Sequence, residues 1–270
     1  MKGNGRVDSD PVYPKRRHGA KNYALDLAVL ISGVSLVFGM WTLATVVGEY
    51  PSFILPEPSD VLRELRVVLE NGRLWLHIRA TLTEMIGGLA LGLSAATVFG
   101  YVFAKSPLLE RLFGPYIVAS QSVPIVAVAP LLIIWFGTGK ASKVLICALI
   151  LFFPILINTI VGIRSVDENL KLLMRSLRAG RWQTFRYLEI PAALPVLLGG
   201  LKIGVTLSAI GAVVGEFVGA DKGLGFLIGL SKGMFNTPLM FVALITLTAL
   251  SLTLYLMVTG LERWLLAWRK

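Results

Sequence analysis

"SLRAGRWQTFRYLEIPAALP", Ser176 to Pro195, is basic, aromatic and proline-ended, and it interrupts a chain that is otherwise mostly apolar. Just upstream, Leu170, Leu173, Met174 and Leu177 recur at i, i+3, i+4 and i+7, which predicts one apolar helix face. Ser165 and Glu168 have capping-box spacing and predict its start. Gly180 predicts its stop. A second short helix is expected to carry Trp182, Phe185 and Leu188 until Pro191 ends it, and Pro195 suits the first turn of the next span, where a missing N–H costs little. The stretch therefore reads as two short amphipathic helices lying roughly at right angles to the flanking spans. Arg and Trp are favoured interface anchors, so a protein partner is one reading. A helix held on anionic lipid by its basic residues is the other.

Outward from this loop, the chain reads as membrane-embedded. Of 270 residues, 55% are hydrophobic and 16% charged, where a soluble domain carries about a quarter charged residues. Several windows reach the roughly 20 apolar residues that cross a bilayer. No alternation of short strands suggests a barrel. The expected fold class is all-α, a polytopic membrane protein with about six transmembrane helices: Leu25–Val47, Ile78–Phe103, Phe113–Phe136, Val144–Ile163, Leu194–Val218 and Leu239–Leu261. Pro115, Pro124 and Pro130 break up the third, which is tolerated where neighbouring helices or a cavity satisfy the freed backbone. Residues 1–24 are expected to be a cytoplasmic tail, and 25–270 the transmembrane domain with its cytoplasmic loop at about 164–191. In the first external loop a helix starting at Ser59 or Asp60 would place Val61, Leu62, Leu65 and Leu69 on one face.

The formal charge of +10 does not point to nucleic acid, because the basic residues are concentrated in particular loops. Lys2, Arg6, Lys15, Arg16, Arg17 and Lys21 precede the first span, and Arg164, Lys171, Arg175, Arg178, Arg181 and Arg186 follow the fourth. Positive-inside bias then puts both termini and the Ser176 loop in the cytoplasm. The single cysteine, Cys147, lies in an apolar span and is read as packing.

Catalytic chemistry finds no foothold. There is no phosphate-cradling GxxxxGK[ST] loop and no H-E-x-x-H, and the histidines are His18 and His77. No catalytic, cofactor-binding or metal-ligating residue is expected. Glu84 and Glu216 are ionisable groups at membrane depth, and so candidates for a translocation path or gate, or else for a structural hydrogen bond. Glu216 is placed near the external end, within reach of Lys222. Gly200, Gly204, Ser208, Gly211, Ala212, Gly215 and Gly219 form a small-residue stripe that brings helix backbones together, either within one subunit or along the path at a dimer axis. Gln121 and Ser122 beside the Pro124–Pro130 break are further path candidates. Trp135 and Phe136 read as a membrane-interface belt or as a stacking surface. Asn158 reads as an interhelical hydrogen bond.

The loop resembles the cytoplasmic coupling loop of permease subunits in binding-protein-dependent ABC importers. The family's I/V-x-L-P ending is met here by Leu188-Glu189-Ile190-Pro191. Its EAA start is degenerate: Leu172, Leu173 and Met174 fill those slots and Arg178 stands at the position of the motif's glycine, with Gly180 shortly after. "LPEPSDVLREL", "SVPIVAVAPLLIIWFGTGKASKV", "FFPILINTIVGIRSVD" and "GEFVGADKGLGFLI" resemble the nitrate/sulfonate/taurine-type branch from about Leu55 to Thr259. "ATLTEMIGG", "LLMRSLRAGRW" and "TPLMF" are closer to permeases for vitamin precursors. The resemblance implies a type I importer permease fold, a homodimer and a place in the bacterial inner membrane. It also implies two copies of an ATP-binding subunit, which would bind ATP and Mg, and an external solute-binding protein. An ATPase-docking loop would use Leu173, Met174, Arg178, Gly180, Arg181, Trp182, Phe185 and Pro191. The path or gate would draw on Glu84, Gln121, Ser122, Gly204, Ser208, Gly211, Gly215 and Glu216. The implied cargo is hydroxymethylpyrimidine, a thiamine-related compound or riboflavin, with nitrate, taurine or alkanesulfonate as the alternative. An ion-coupled secondary transporter is a remote reading, since no internal repeat is visible.

Overall fold

The computed structural model describes residues 23–267, the side chains of residues 23–26 and 30 excepted. The expected tail, residues 1–24, lies outside the described residues as far as residue 22, while Tyr23 and Ala24 already belong to a helix. Among the described residues the regular structure is all helical. The chain divides into two compact units at Glu49/Tyr50. The first contributes α1 (Tyr23–Gly48), long and apolar enough to span a bilayer.

In the second unit the centre is α6 (Lys140–Arg164), held between α3 (Arg73–Lys105) and α9 (Ile190–Gly219). The reason is written in small residues. On α3, Gly88, Gly92, Ala96 and Gly100 recur every fourth position and are all buried. They meet Cys147, Leu151 and Thr159 of α6 in ascending order, so α3 and α6 run parallel. On α9, Gly200, Gly204, Gly211 and Gly215 meet Asn158, Ile155, Cys147 and Lys143 in descending order, so α9 is antiparallel to α6. In lipid there is little hydrophobic force between helices, and close backbone approach supplies the packing energy instead. Both contacts close on Cys147, which is fully buried. A Cβ on Gly211 would stand 2.6 Å from its Cα.

The expected third span is two helices, α4 (Pro107–Gln121) and α5 (Ile125–Phe136), meeting at 97°. Pro124 has extended backbone and cannot donate a helical hydrogen bond, so the chain turns there. α5 packs Ala129, Leu132 and Ile133 against Ile146 of α6, whereas α4 buries no residue. Glu110 at the start of α4 accepts from both terminal nitrogens of Arg164, the last residue of α6. α2 (Pro58–Glu70) begins at Pro58, one residue before the expected start, and rests on α11 (Thr237–Leu265) and α3. Its inward face is Val61 and Val68, while Leu62 and Leu69 point outward, so of the expected face Val61 is kept and Leu62 and Leu69 are corrected. Asn158 donates to the Pro154 carbonyl of its own helix at 2.9 Å rather than across to another helix. Lys202 of α9 pairs with Glu262 of α11.

After α6 comes α7 (Glu168–Ser176). Its cap is Asp167, which accepts from the Asn169 N–H, and not Ser165, whose hydroxyl turns back to the Gly162 carbonyl. α7 also stops before Gly180. The Ala179 N–H reaches the Met174 carbonyl and the Arg178 N–H the Arg175 carbonyl, both at 2.9 Å, which is a Schellman motif with Arg178 at its left-handed position (φ +52°). Gly180 instead opens α8 (Arg181–Thr184), where the Gln183 side chain accepts from its N–H at 2.7 Å.

Two outcomes follow from this packing. Gly211→Leu should lower the thermal stability of the purified protein by an overpacking cost of about 1–3 kcal/mol, or abolish its accumulation. Gly199→Leu, where a Cβ meets open space, should leave melting within error. Arg178→Gly should slow hydrogen exchange at the Arg178 and Ala179 amides by relieving a left-handed residue worth roughly 1–2 kcal/mol, and Arg178→Val should speed it.

Candidate functional site

Two clusters stand out, at opposite ends of the α3–α6–α9 core. The first is the loop formed by α7, α8 and the π-helical turn Phe185–Glu189 that runs into α9. Pro191 lies at the second residue of α9, where its missing N–H is tolerated, and the Ile190 N–H instead bonds five residues back to the Phe185 carbonyl. Glu189 is buried, accepts from the Tyr101 hydroxyl at 3.0 Å and pairs with Lys105, so the loop is tied to the end of α3. Phe185 stands edge-on to Tyr101 at 5.1 Å, and Trp182 leans on Phe185 at 5.4 Å. The three rings form a stair from the bundle outward.

The outer steps of that stair are bare. Trp182 is 67% exposed, Leu173 53% and Leu177 68%, with Arg175, Arg178, Arg181 and Arg186 around them. Met174 is half-buried. The face anticipated from the leucine spacing therefore exists, and it does not pack on this chain. Lys105, Lys171, Arg175 and Arg181 also line a cleft of about 560 Å³ behind it. An exposed apolar patch rimmed by cations suits a protein surface of opposite charge.

The second cluster lies inside the other end of the bundle. Glu84 and Thr81 of α3, Lys143 of α6 and Glu216 of α9 are all at least 95% buried. The Thr81 hydroxyl donates to Glu216 Oε1 at 2.7 Å and itself accepts from the Leu224 N–H at 2.8 Å. The Gly225 N–H donates to Glu216 Oε2, and the Gly223 N–H to His77 Nδ1 at 3.1 Å. These amides open α10 (Leu224–Gly233), so Glu216 acts as an anionic cap on its positive end. Gly223 is required there: its φ is +122°, and a Cβ would run into the Glu216 carboxyl. Lys143 Nζ stands 3.7 Å from Glu84 Oε1. Lys222, the partner expected for Glu216, sits instead with Asp221 on the surface.

The remaining candidates separate. Gly204, Ser208, Gly211 and Gly215 are buried, the three glycines against Ile155, Cys147 and Lys143 of α6. Gln121 and Ser122 are exposed at the α4–α5 elbow. Trp135 and Phe136 are exposed at the end of α5. The sequence reading missed Thr81, His77 and Lys143, and it missed the α3 stripe, although its four-residue spacing was there to be counted. No group of three His, Cys, Asp or Glu among the described residues is placed to hold a metal.

Comparison with known proteins agrees with this architecture. Residues 88–267 match the family model described as the binding-protein-dependent transport system inner membrane component. The chain is 49% identical to the riboflavin transport system permease protein RibX of Chloroflexus aurantiacus, across 91% of this chain and 90% of the relative. It is 34% identical to the formylaminopyrimidine transport permease protein ThiX of Halalkalibacterium halodurans (84% and 90%) and 32% to the taurine transport system permease protein TauC of Escherichia coli (84% of each). Among solved structures, the inward-facing MetNI methionine ABC transporter has a chain that superposes with a TM-score of 0.57 at 19% identity, over 72% of this chain and 94% of that one. The match at this identity concerns the fold. With the family model covering two thirds of its length and near-half identity to a full-length relative, this chain belongs to the binding-protein-dependent inner membrane components, the permease subunits of ABC importers.

Proposed function

We propose that the chain forms half of the translocation path of an importer for riboflavin or a related flat heterocycle. The observation that carries this reading is the 49% identity to a riboflavin permease over nearly the full length, against 32% for the taurine permease. The formylaminopyrimidine relative at 34% supports heterocycles as a class. The sulfonate relatives, at about the taurine value, sustain the alternative cargo of taurine or alkanesulfonate.

In this reading two copies of the chain pair in the inner membrane. A separate ATPase, present twice, binds ATP and Mg, and an external protein delivers the solute. Both termini and the α7–α8 loop face the cytoplasm, on the strength of the basic residues counted above. Leu173, Trp182 and the surrounding arginines grip the ATPase. Closure of the ATPase dimer pushes on the ring stair, and Tyr101 and Glu189 pass the displacement to α3 and α9. Gln121 and Ser122, exposed at the elbow, face the path, while the glycine stripe keeps the α3–α6–α9 core moving as one body.

Reconstitution in liposomes with the cognate ATPase and binding protein tests the cargo. Riboflavin-loaded binding protein should stimulate ATP hydrolysis more than binding protein offered hydroxymethylpyrimidine, thiamine, taurine or nitrate. Stimulation by taurine alone would move the chain to the alternative cargo, and failure of any ATPase to associate would sink the importer assembly. Docking has its own test. Trp182→Asp, at an exposed side chain, should weaken ATPase co-purification by about thirtyfold or more, the loss of a hot spot worth about 2 kcal/mol. The bundle should keep its melting temperature.

A further inference from the structure

Among the described residues, Glu84 Oε2 is the one fully buried side-chain oxygen or nitrogen without a hydrogen-bond partner. Such an atom needs an explanation. Its surroundings supply one. Glu84 and Glu216 lie within hydrogen-bonding reach of each other. Glu216 receives a donor on each oxygen, the Thr81 hydroxyl on one and the Gly225 N–H on the other, and such hydrogen bonds favour its charged form. Thr81 links the two sides, its oxygen accepting from the Leu224 N–H while its hydroxyl hydrogen points to Glu216. On the Glu84 side, Oε1 has the Lys143 ammonium at 3.7 Å, while Oε2 is buried and receives no donor.

We propose that Glu84 carries a proton on Oε2 and donates it to an ionised Glu216, making a neutral, fully satisfied clasp that locks α10 to α3, α6 and α9. Charge accounting agrees. With the proton, Lys143 and Glu216 cancel; without it, one excess negative charge would sit between two carboxylates out of reach of water, an expensive arrangement. The other groups that face the clasp do not supply this proton. His77 accepts at Nδ1 from the Gly223 N–H and stacks on Phe226, and the Cys147 thiol is directed to the Ser208 carbonyl. Arg73, at the start of α3, lies on the His77 side of the cluster. Lys222 and Asp221 pair with each other on the surface.

Glu84 is thus a positioning residue acting through Glu216, and its role depends on a donor at Oε2 rather than on negative charge. This gives an asymmetry that simple structural packing does not. Glu84→Gln keeps a donor toward Glu216 and an acceptor toward Lys143, and should melt within about 3 °C of the parent. Glu84→Leu removes both, and Glu216→Gln sets an amide N–H against the donors of Thr81 or Gly225. Each of these should melt lower by on the order of 5 °C or more.

Infrared difference spectra of the parent protein against Glu84→Gln supply the decisive readout. The parent should show the C=O stretch of a protonated carboxyl group, shifted in D2O and missing in the variant. In the reconstituted importer, Glu84→Gln should retain solute-stimulated ATP hydrolysis and Glu216→Gln should lose it. Melting of Glu84→Gln as low as Glu84→Leu, or spectra in which only carboxylate bands change, would overturn the assignment. The melting and infrared results stand whatever the cargo or the ATPase partner proves to be.

Discussion

The closeness of three helix backbones at Cys147 is the constraint on which the rest of the second unit depends. Gly88 of α3 and Gly211 of α9 approach this one residue of α6. A bilayer gives apolar side chains no reason to prefer a neighbouring helix over lipid, so helices associate where they fit closely enough to gain dispersion and weak backbone contacts. The glycines every four residues on α3 and the small residues on α9 make α6 a spine with two matched grooves. Everything with chemistry hangs on the ends of that spine: the carboxyl clasp at the first turns of α6, and the Arg164–Glu110 pair and the α7–α8 loop after its last turn.

The loop is built differently, by polar and aromatic contacts. Glu189 is the pivot. It is buried at the junction of the π-turn and α9, and its oxygens take Tyr101 and Lys105 from α3. The exposed Trp182 edge is thereby joined, through Phe185, Tyr101 and Glu189, to two helices of the core. The wider π-turn lets the chain enter α9 at Pro191 with the Ile190 N–H still bonded, to the Phe185 carbonyl.

Much of this was legible beforehand. Hydropathy located the spans, since twenty-residue apolar runs have few other uses, and the ending Leu188–Pro191 with its neighbouring motifs led to the family. What failed did so for identifiable reasons. Ser165 and Asp167 are both competent caps two residues apart, and local spacing cannot say which end of which helix each serves. Arg178 stands where the family motif has glycine, and the structure puts it in a left-handed position that tolerates a long unbranched side chain at modest cost. The clasp joins Thr81 to Glu216 across 135 positions of sequence, and Lys143 comes to it from a third helix. Nothing local marks partners so distant. The α3 stripe was different, because its period of four was visible and went unread.

The parallel run of α3 and α6 carries a topological consequence. Two neighbouring helices can point the same way only if the chain between them travels the full distance back. The elbow of α4 and α5 must therefore be a return stroke. At 1.5 Å per residue, helices of 15 and 12 residues bent by 97° reach end to end over roughly 27 Å, close to the ~30 Å of a bilayer's hydrocarbon. Tyr50 to Leu265 then makes five crossings: α3, the elbow, α6, α9 and α11. An odd count puts the two ends of this unit on opposite faces of the membrane, a parity that no bending of individual helices can alter.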